Sequence, residues 1–319
     1  MRYRTLGNSG LLVSVVGLGC NNFGGRLDVA RTRAVVGAAI DEGITLLDTA
    51  EGYGRDGGSE LALGEVLKGR RDQVLLATKF NSDADLGYGP AAGARGGRHY
   101  IKVAVEKSLT RLQTDYIDLY QLHRPDPATP LEETLAALDE LVAEGKVRYI
   151  GHSNFAGWQI ADAAHTAASS GRTPFISAQN HWSLLERDAE REVVPAARHF
   201  GVGLLPYFPL ANGLLTGKVR RGQDIPQNSR LAEPRRVGYV TEAKLDKVEA
   251  LTAWGEERGV SILEIAFGAL AAQPGCSSVI AGATSPEQVK ANAAAGEWQP
   301  TQEQLDAIDK IVPPPGADR

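Results

Sequence analysis

The sequence predicts one α/β domain over residues 1–319, a (β/α)8 TIM barrel with an N-terminal β-hairpin and long loops at the carboxyl ends of its strands. Short β-branched segments alternate with amphipathic helical segments along the whole chain, and most strands begin about 25–45 residues after the previous one. Gly43, Gly145 and Gly201 each stand just before a strand, where a helix can end in the left-handed conformation. A doubly wound open sheet is the alternative, but the first strand lacks the GxGxxG that such a fold would carry for a dinucleotide.

The elements can be placed in order along the chain. Segments 2–6 and 11–13 flank Gly7-Asn8-Ser9-Gly10, which predicts a β-hairpin. The predicted barrel strands are Val13–Leu18, Ile44–Asp48, Val74–Lys79, Ile117–Leu122, Val147–Gly151, Phe175–Gln179, Val202–Pro206 and Ser278–Ile280.

Local signals mark several helix starts and two loops. Ser59, Thr129 and Ser285 are the predicted N-caps, and the last two are followed by proline at the first helical position. Pro195 predicts a kink in the helix after Asp188. Two segments break the strand–helix rhythm, and loops of such length are usually functional; they are Asn81–His99, rich in Gly, Ala and Asp, and the basic segment Ala211–Tyr239.

Composition excludes some classes of protein. The chain has 319 residues with 43% hydrophobic content, a net charge of -5 and a pI near 5.8, which argues against nucleic-acid binding. No apolar run approaches the length of a membrane span, and the N-terminus lacks the apolar stretch of a signal peptide. Two cysteines, Cys20 and Cys276, cannot form a disulfide framework. We therefore expect a cytoplasmic protein.

Four polar residues stand at or near the ends of neighbouring strands. Asp48, Lys79 and His123 each end a predicted strand, and Tyr53 lies in a Gly-rich turn after Asp48. Each alone is more commonly structural, but parallel strands bring their carboxyl ends to one edge, where α/β active sites lie. A nearby ammonium lowers a tyrosine pKa, and such a tyrosine can donate a proton to a carbonyl oxygen that a histidine orients.

Seven stretches, LDTAEGYG, LLATKF, DYIDLYQLHRPD, VRYIGHSNF, AQNHWSLLER, PYFPLANGLLTGK and VIAGATSPEQVKAN, resemble the aldo-keto reductase superfamily from end to end. The branch resembled includes the β-subunits of voltage-gated potassium channels. The resemblance implies a barrel that binds a nicotinamide cofactor across the strand ends. It also implies a tetrad of Asp48, Tyr53, Lys79 and His123, with Tyr53 as general acid. It implies no metal ligand.

The same resemblance implies a set of cofactor-binding positions. Ser153, Asn154 and Gln179 match the residues that hold the nicotinamide carboxamide, and Tyr207 matches the aromatic that stacks on the ring. The segment that lines the pyrophosphate is matched by Phe208, Pro209, Leu210, Asn212 and Lys218. The residue at the ribose 2′-phosphate is matched by Arg230. The last cofactor segment is matched by Gly282, Thr284, Gln288 and Asn292.

Some positions depart from the family pattern. Phe208 stands where this branch usually has serine, and Ala291 where a glutamate often stands. Gly282 and Gln288 replace the lysine and arginine of the animal branch. Phosphate recognition then depends on Lys218 and Arg230, and NADP(H) is favoured over NAD(H).

Three functions are compatible with this site. The first is an NADPH-dependent reductase that converts small-molecule aldehydes or ketones to alcohols. The second is a cofactor-binding redox sensor or regulatory subunit with little turnover. The third is a barrel lyase in which Lys79 forms a Schiff base and no nicotinamide is needed. The substrate, the direction and the oligomeric state stay open.

Overall fold

The computed structural model describes residues 1–84, 86–227, 229–236 and 238–316. It opens with an antiparallel hairpin of β1 (Tyr3–Thr5) and β2 (Leu12–Ser14), as predicted. The barrel strands that follow are β3 (Val16–Gly19), β4 (Leu46–Asp48), β5 (Leu75–Phe80), β6 (Ile117–Leu122), β7 (Val147–Ser153), β8 (Ser177–Gln179), β9 (Gly203–Leu204) and β10 (Val279–Gly282).

All eight barrel strands pair in parallel in the order β10-β3-β4-β5-β6-β7-β8-β9. The sheet curls so that its two edges meet, because Tyr207 bridges to Ile280 and the Ile280 amide donates to the Pro206 carbonyl at 3.0 Å. The predicted (β/α)8 barrel with its N-terminal hairpin is therefore confirmed.

Helices separate the strands along the chain. They are α1 (Val29–Asp41), α2 (Gly58–Val66), α3 (Arg98–Leu112), α4 (Leu131–Ala143), α5 (Gly157–Ser170), α6 (Val193–Phe200), α7 (Glu242–Glu256), α8 (Ile262–Ala271), α9 (Pro286–Ala295) and α10 (Gln302–Ile311). Gly43, Gly145 and Gly201 all have positive φ at helix ends, as their places in the sequence predict. Within the described residues, no helix is both long and apolar enough to cross a membrane.

The first predicted barrel strand, Val13–Leu18, is wrong as one element. The structure divides it between hairpin strand β2 and barrel strand β3. Ser14 causes the break, because its hydroxyl donates to the Val16 carbonyl at 2.7 Å and accepts from the Thr45 amide at 3.0 Å. The mostly apolar segment 13–18 gave no signal of this turn.

Two predicted N-caps are also wrong. Ser59 lies inside α2, where its hydroxyl donates to the Cys20 carbonyl at 2.8 Å, and Gly57 caps the helix instead. The Thr129 hydroxyl donates to Asp126 at 2.8 Å, and the N-cap of α4 is the next residue, Pro130. Both hydroxyls thus donate to other groups, one that is 39 residues away for Ser59 and one that is three residues away for Thr129.

The other two helix signals have different outcomes. Ser285 is the N-cap of α9 and accepts from the Gln288 amide at 3.4 Å, as predicted. Pro195 does not kink a helix. It lies in the first turn of α6, where its missing N–H costs nothing, and the preceding Asp188–Glu190 turn is a separate 3-10 helix.

The hairpin closes the amino-terminal end of the barrel. Leu6 and Val13 are fully buried there against Leu46, Leu119 and Ile280 from the barrel interior. Side chains alternate along a strand, so the residues two positions after Leu46 and Leu119 point into the same interior. These residues are Asp48 and Gln121, and they lie nearer the carboxyl ends of the strands. The barrel is thus apolar at its base and receives its polar side chains at the opposite end.

Two long segments lie at that carboxyl end. The loop between β5 and α3 spans 81–97 and contains the 3-10 turn Pro90–Ala92, so the predicted loop Asn81–His99 ends slightly earlier. The segment between β9 and α7 is fastened by its own apolar cluster, in which Leu214 and Leu231 pack with Leu251 and Ile265.

Two helical glycines predict opposite effects of the same substitution. Nothing lies within 4 Å of a Cβ added at Gly37 in α1, whereas one at Gly64 in α2 would overlap the Arg111 carbonyl. We expect Gly37→Ala to raise the free energy of unfolding by about 0.5–1 kcal/mol and Gly64→Ala to lower it by about 1–3 kcal/mol. Urea unfolding followed by circular dichroism measures both. Equal effects of the two substitutions would contradict this packing of α2 on α3.

Candidate active site

A buried ion pair lies at the carboxyl end of the barrel. Lys79 of β5 is fully buried, and its ammonium donates to Asp48 Oδ2 at 2.7 Å, to the Thr49 carbonyl at 2.8 Å and to the Tyr53 hydroxyl at 3.4 Å. Burial alone lowers the pKa of Lys79, but Asp48 and then Tyr53 outweigh it, and the net pKa is raised. Lys79 is therefore a fixed cation.

The second carboxylate oxygen of Asp48 is held from two further strands. Asp48 Oδ1 accepts from Gln179 Nε2 at 2.9 Å and from Gln121 Nε2 at 3.2 Å. Gln179 was expected at the carboxamide, and the structure adds this contact with Asp48. Sequence reasoning missed Gln121, although its position two residues before His123 places it on the same strand face.

Tyr53 lies in a tight turn after β4, in which its amide donates to the Ala50 carbonyl at 3.0 Å. The expected lowering of its pKa is wrong in net direction. Burial raises the pKa of Tyr53, and the lowering that Lys79 causes is smaller. The phenol is therefore protonated at neutral pH, beside a cation that stabilises it once it loses its proton.

His123 completes the cluster from the end of β6. Its ring meets the Tyr53 ring edge-on, with 5.7 Å between centroids and 79° between planes. Burial, and then the charges of Lys79 and Arg124, lower the pKa of His123 to about 3. The imidazole is neutral at physiological pH and can donate one N–H. Its Nδ1 has no hydrogen-bond partner among the described residues.

The expected carboxamide residues form the neighbouring layer. Asn154 has a positive φ of 62°, and its Nδ2 donates to the His123 carbonyl at 2.9 Å. Asn154 Oδ1 accepts from the Tyr207 hydroxyl at 2.9 Å, and the Ser153 hydroxyl donates to the Gln179 carbonyl at 2.7 Å. The Tyr207 ring also stacks on His181, at 5.4 Å and 9°. The structure thus brings these four expected residues together beside His123.

The family model for the aldo/keto reductase family matches residues 15–313. The chain belongs to the aldo-keto reductase family. It is 36% identical to an uncharacterized oxidoreductase YrpG of Bacillus subtilis (strain 168), with 100% of this chain and 98% of that protein covered. It is also 36% identical to the aldo-keto reductase YhdN of the same strain, covering 98% and 94%. A probable voltage-gated potassium channel subunit beta of Oryza sativa subsp. japonica is 34% identical, covering 98% and 97%.

Aldo-keto reductases generally use NAD(P)H, a cofactor that carries phosphate groups. The segment after β9 is the candidate site for these phosphates. Phe208, Ala211 and Asn212 have positive φ values of 54°, 46° and 59°. Left-handed backbone at three non-glycine residues is strained, and such strain clusters where ligands bind. Asn212 is buried, yet neither polar atom of its side chain has a hydrogen-bond partner among the described residues.

Two arginines face one aromatic ring in this segment. The guanidinium carbons of Arg230 and Arg236 lie 5.2 and 5.4 Å from the Phe208 ring centroid. Arg230 also donates to Asn21 Oδ1 at 3.0 Å. Sequence reasoning missed Asn21, because its contact with Arg230 spans 209 residues and leaves no local pattern. It also missed Arg236 as a site residue, since only the fold brings that guanidinium to the Phe208 ring.

The other expected cofactor positions differ in their exposure. Pro209 is buried and Leu210 is half-buried, while Lys218 and Gly282 are exposed. Gln288 folds back, and its Oε1 accepts from the Thr284 amide at 2.8 Å. Asn292 is buried on α9.

These residues fit a nicotinamide dinucleotide. Within the described chain, Asn212 and the buried atoms Ser229 Oγ and Arg236 Nε offer donors and acceptors without protein partners. The oxygens of a phosphate-bearing ligand would accept from the donors among these groups, which are Asn212 Nδ2, the Ser229 hydroxyl and Arg236 Nε. Charge, strain and unsatisfied polar atoms therefore coincide in one segment of this aldo-keto reductase.

The ion pair of the reductase predicts a sharp stability effect. Lys79→Met leaves the Asp48 carboxylate buried without a cation, and we expect it to lower the free energy of unfolding by about 3–5 kcal/mol. Adding Asp48→Asn removes the uncompensated charge and restores more than half of the loss. The exposed Arg124–Asp83 pair is the control, since Arg124→Met costs less than about 1 kcal/mol. Urea unfolding measures all three variants, and equal stability of the single and double variants would refute this account.

Proposed function

We propose that this aldo-keto reductase is an NADPH-dependent carbonyl reductase that converts small aldehydes or ketones to alcohols. The observation that carries the proposal is the contact of Tyr53, Lys79, Asp48 and His123 at the carboxyl end of the barrel. One protonated phenol, one fixed cation and one neutral imidazole together suit the reduction of a carbonyl group.

When bound, the nicotinamide supplies a hydride to the carbonyl carbon. Ser153, Asn154 and Tyr207 would hold its carboxamide and ring, and their mutual hydrogen bonds support this by fixing their side chains in advance. Asn212 and Arg230 would bind its phosphates, with Arg236 beside them. The arginines favour NADP(H), which carries an additional 2′-phosphate, over NAD(H). A guanidinium can bind a phosphate with two parallel hydrogen bonds.

Tyr53 provides the proton. As negative charge develops on the carbonyl oxygen, the Tyr53 O–H bond breaks and the proton forms the new alcohol O–H bond. The resulting phenolate lies 3.4 Å from the Lys79 ammonium, which stabilises it until solvent returns a proton. Asp48 keeps Lys79 charged and in place.

His123 has a different task from Tyr53. Because its pKa is about 3, the imidazole does not supply a proton at neutral pH. It can instead donate a hydrogen bond that orients the carbonyl oxygen toward Tyr53.

Two alternatives are weaker. A Schiff base requires a neutral Lys79, but its pKa is raised and its ammonium already makes three hydrogen bonds. A regulatory subunit that binds cofactor with little turnover is supported by the likeness to the plant channel subunit. Tight NADPH binding without reduction of any aldehyde or ketone would favour that second function.

Tyr53→Phe tests the proton donor. We expect kcat for carbonyl reduction to fall about 10²–10⁴-fold, since general acid catalysis typically contributes this much. The dissociation constant for NADPH, measured by fluorescence titration, stays within about two-fold because the hydroxyl is not a proposed cofactor contact. Turnover comparable to the parent protein would refute the role of Tyr53.

Arg230→Ala tests the cofactor preference. We expect the dissociation constant for NADPH to rise about 10–100-fold, the worth of a charge-assisted phosphate contact, while that for NADH changes little. Arg221→Ala is the matched control, because Arg221 lies in the same basic segment but pairs with Glu242, Asp246 and Glu249. Equal losses for NADPH and NADH would show that Arg230 does not select the 2′-phosphate.

A further inference from the structure

A second buried carboxylate lies beside the proposed proton donor. Glu51, two residues before Tyr53, is fully buried. Its Oε1 accepts from the Ser82 amide at 3.1 Å and from the Tyr100 hydroxyl at 2.9 Å, and its Oε2 accepts from the Tyr88 hydroxyl at 3.3 Å. The mechanism above uses none of these groups.

Tyr88 also connects Glu51 to another buried charge pair. Arg111 of α3 donates to Glu60 Oε2 at 2.7 Å and to the Tyr88 hydroxyl at 3.3 Å. Burial, and then the Glu51 charge, raise the pKa of Tyr88 to about 12, so the phenol keeps the proton that it donates to Glu51. Tyr88 is therefore fixed between a carboxylate and a guanidinium.

Glu51 thereby joins two parts of the active-site rim. Ser82 and Tyr88 belong to the β5–α3 loop, whereas Glu51 belongs to the turn that presents Tyr53. The two segments also pack closely at Gly52, where an added Cβ would overlap the Ser82 side chain.

Two further tethers lie near the ends of the loop. Asn81 donates to the Arg124 carbonyl at 2.9 Å, one residue beyond His123. At the other end, the Gly96 amide donates to Asp126 at 2.6 Å. The loop thus runs from beside His123 past the Tyr53 turn, and Tyr88 holds its middle.

We propose that Glu51 is a positioning residue, whose carboxylate fastens the middle of the β5–α3 loop to the turn that carries Tyr53. The substrate-side loop and the proton donor are then placed together rather than independently. This inference rests on the proposed role of Tyr53 as the acid.

The test compares Glu51→Gln, Tyr88→Phe and the double variant with the full-length parent protein. Tyr3→Phe is the matched control. It also removes one tyrosine hydroxyl, which donates to the Gly43 carbonyl, but Tyr3 lies in the hairpin at the amino-terminal end of the barrel. We expect Tyr88→Phe to raise KM for a carbonyl substrate about five-fold, the usual effect of losing one hydrogen bond, with kcat and NADPH binding little changed. We expect Glu51→Gln to raise KM in the same way and also to lower kcat about ten-fold, because it loosens the turn that carries Tyr53.

Non-additivity is the decisive kinetic result. If Tyr88 acts through Glu51, adding Tyr88→Phe to Glu51→Gln changes KM by less than about two-fold. Multiplicative effects of the two substitutions would overturn the proposal. If Glu51→Gln does not fold, the test is the KM of Tyr88→Phe compared with that of Tyr3→Phe. Equal KM values in these two variants would then overturn the proposal.

Two measurements separate this inference from the proposed function. Hydrogen exchange across residues 82–97 is faster in Tyr88→Phe and Glu51→Gln than in the parent or in Tyr3→Phe. The ¹³Cζ resonance of Tyr53 shifts in Glu51→Gln. Both readouts need no turnover, so a parent protein without reductase activity would refute only the proposed function. Unchanged exchange and an unshifted resonance would refute the positioning role of Glu51.

Discussion

The pairing of Lys79 with Asp48 inside the barrel is the constraint on which the site depends. Removing two charges from water is costly, and close contact alone seldom compensates. Here both groups make further hydrogen bonds: the Lys79 ammonium donates to the Thr49 carbonyl, and Asp48 accepts from Gln121 and Gln179. Strands β4, β5, β6 and β8 each contribute a side chain to this arrangement. The ends of half of the barrel strands are consequently held in register by one charge pair.

Much of the barrel follows from the sequence because strand periodicity and helix-ending glycines are local signals. Gly43, Gly145 and Gly201 mark the ends of helices, and the strands around Asp48, Lys79 and His123 lie where predicted. Parallel strands share one carboxyl edge, so residues that end neighbouring strands must lie close together. This topological rule made four distant positions predictable as one cluster, although their catalytic roles remain proposals.

Most of the errors arise from contacts or from burial that the local sequence does not reveal. The hydroxyl of Ser59 donates to the Cys20 carbonyl, 39 residues away, and that of Thr129 donates to Asp126, three residues away. Gly57 and Pro130 are the N-caps instead. The net pKa of Tyr53 depends on burial, which no motif encodes. The same holds for three site residues whose roles depend on contacts made only in the folded chain; these are Gln121, Glu51 and Arg236.

The neutral state of His123 has a consequence for how the protein responds to acidity. Its pKa lies near 3, while the pKa values of Tyr53 and Lys79 are raised above their already alkaline ordinary values. These three groups therefore keep one fixed charge pattern from mildly acidic to mildly alkaline solution. Mild acidification therefore leaves this pattern untouched, and acidity would act on the proposed reduction chiefly through the proton that the overall reaction consumes.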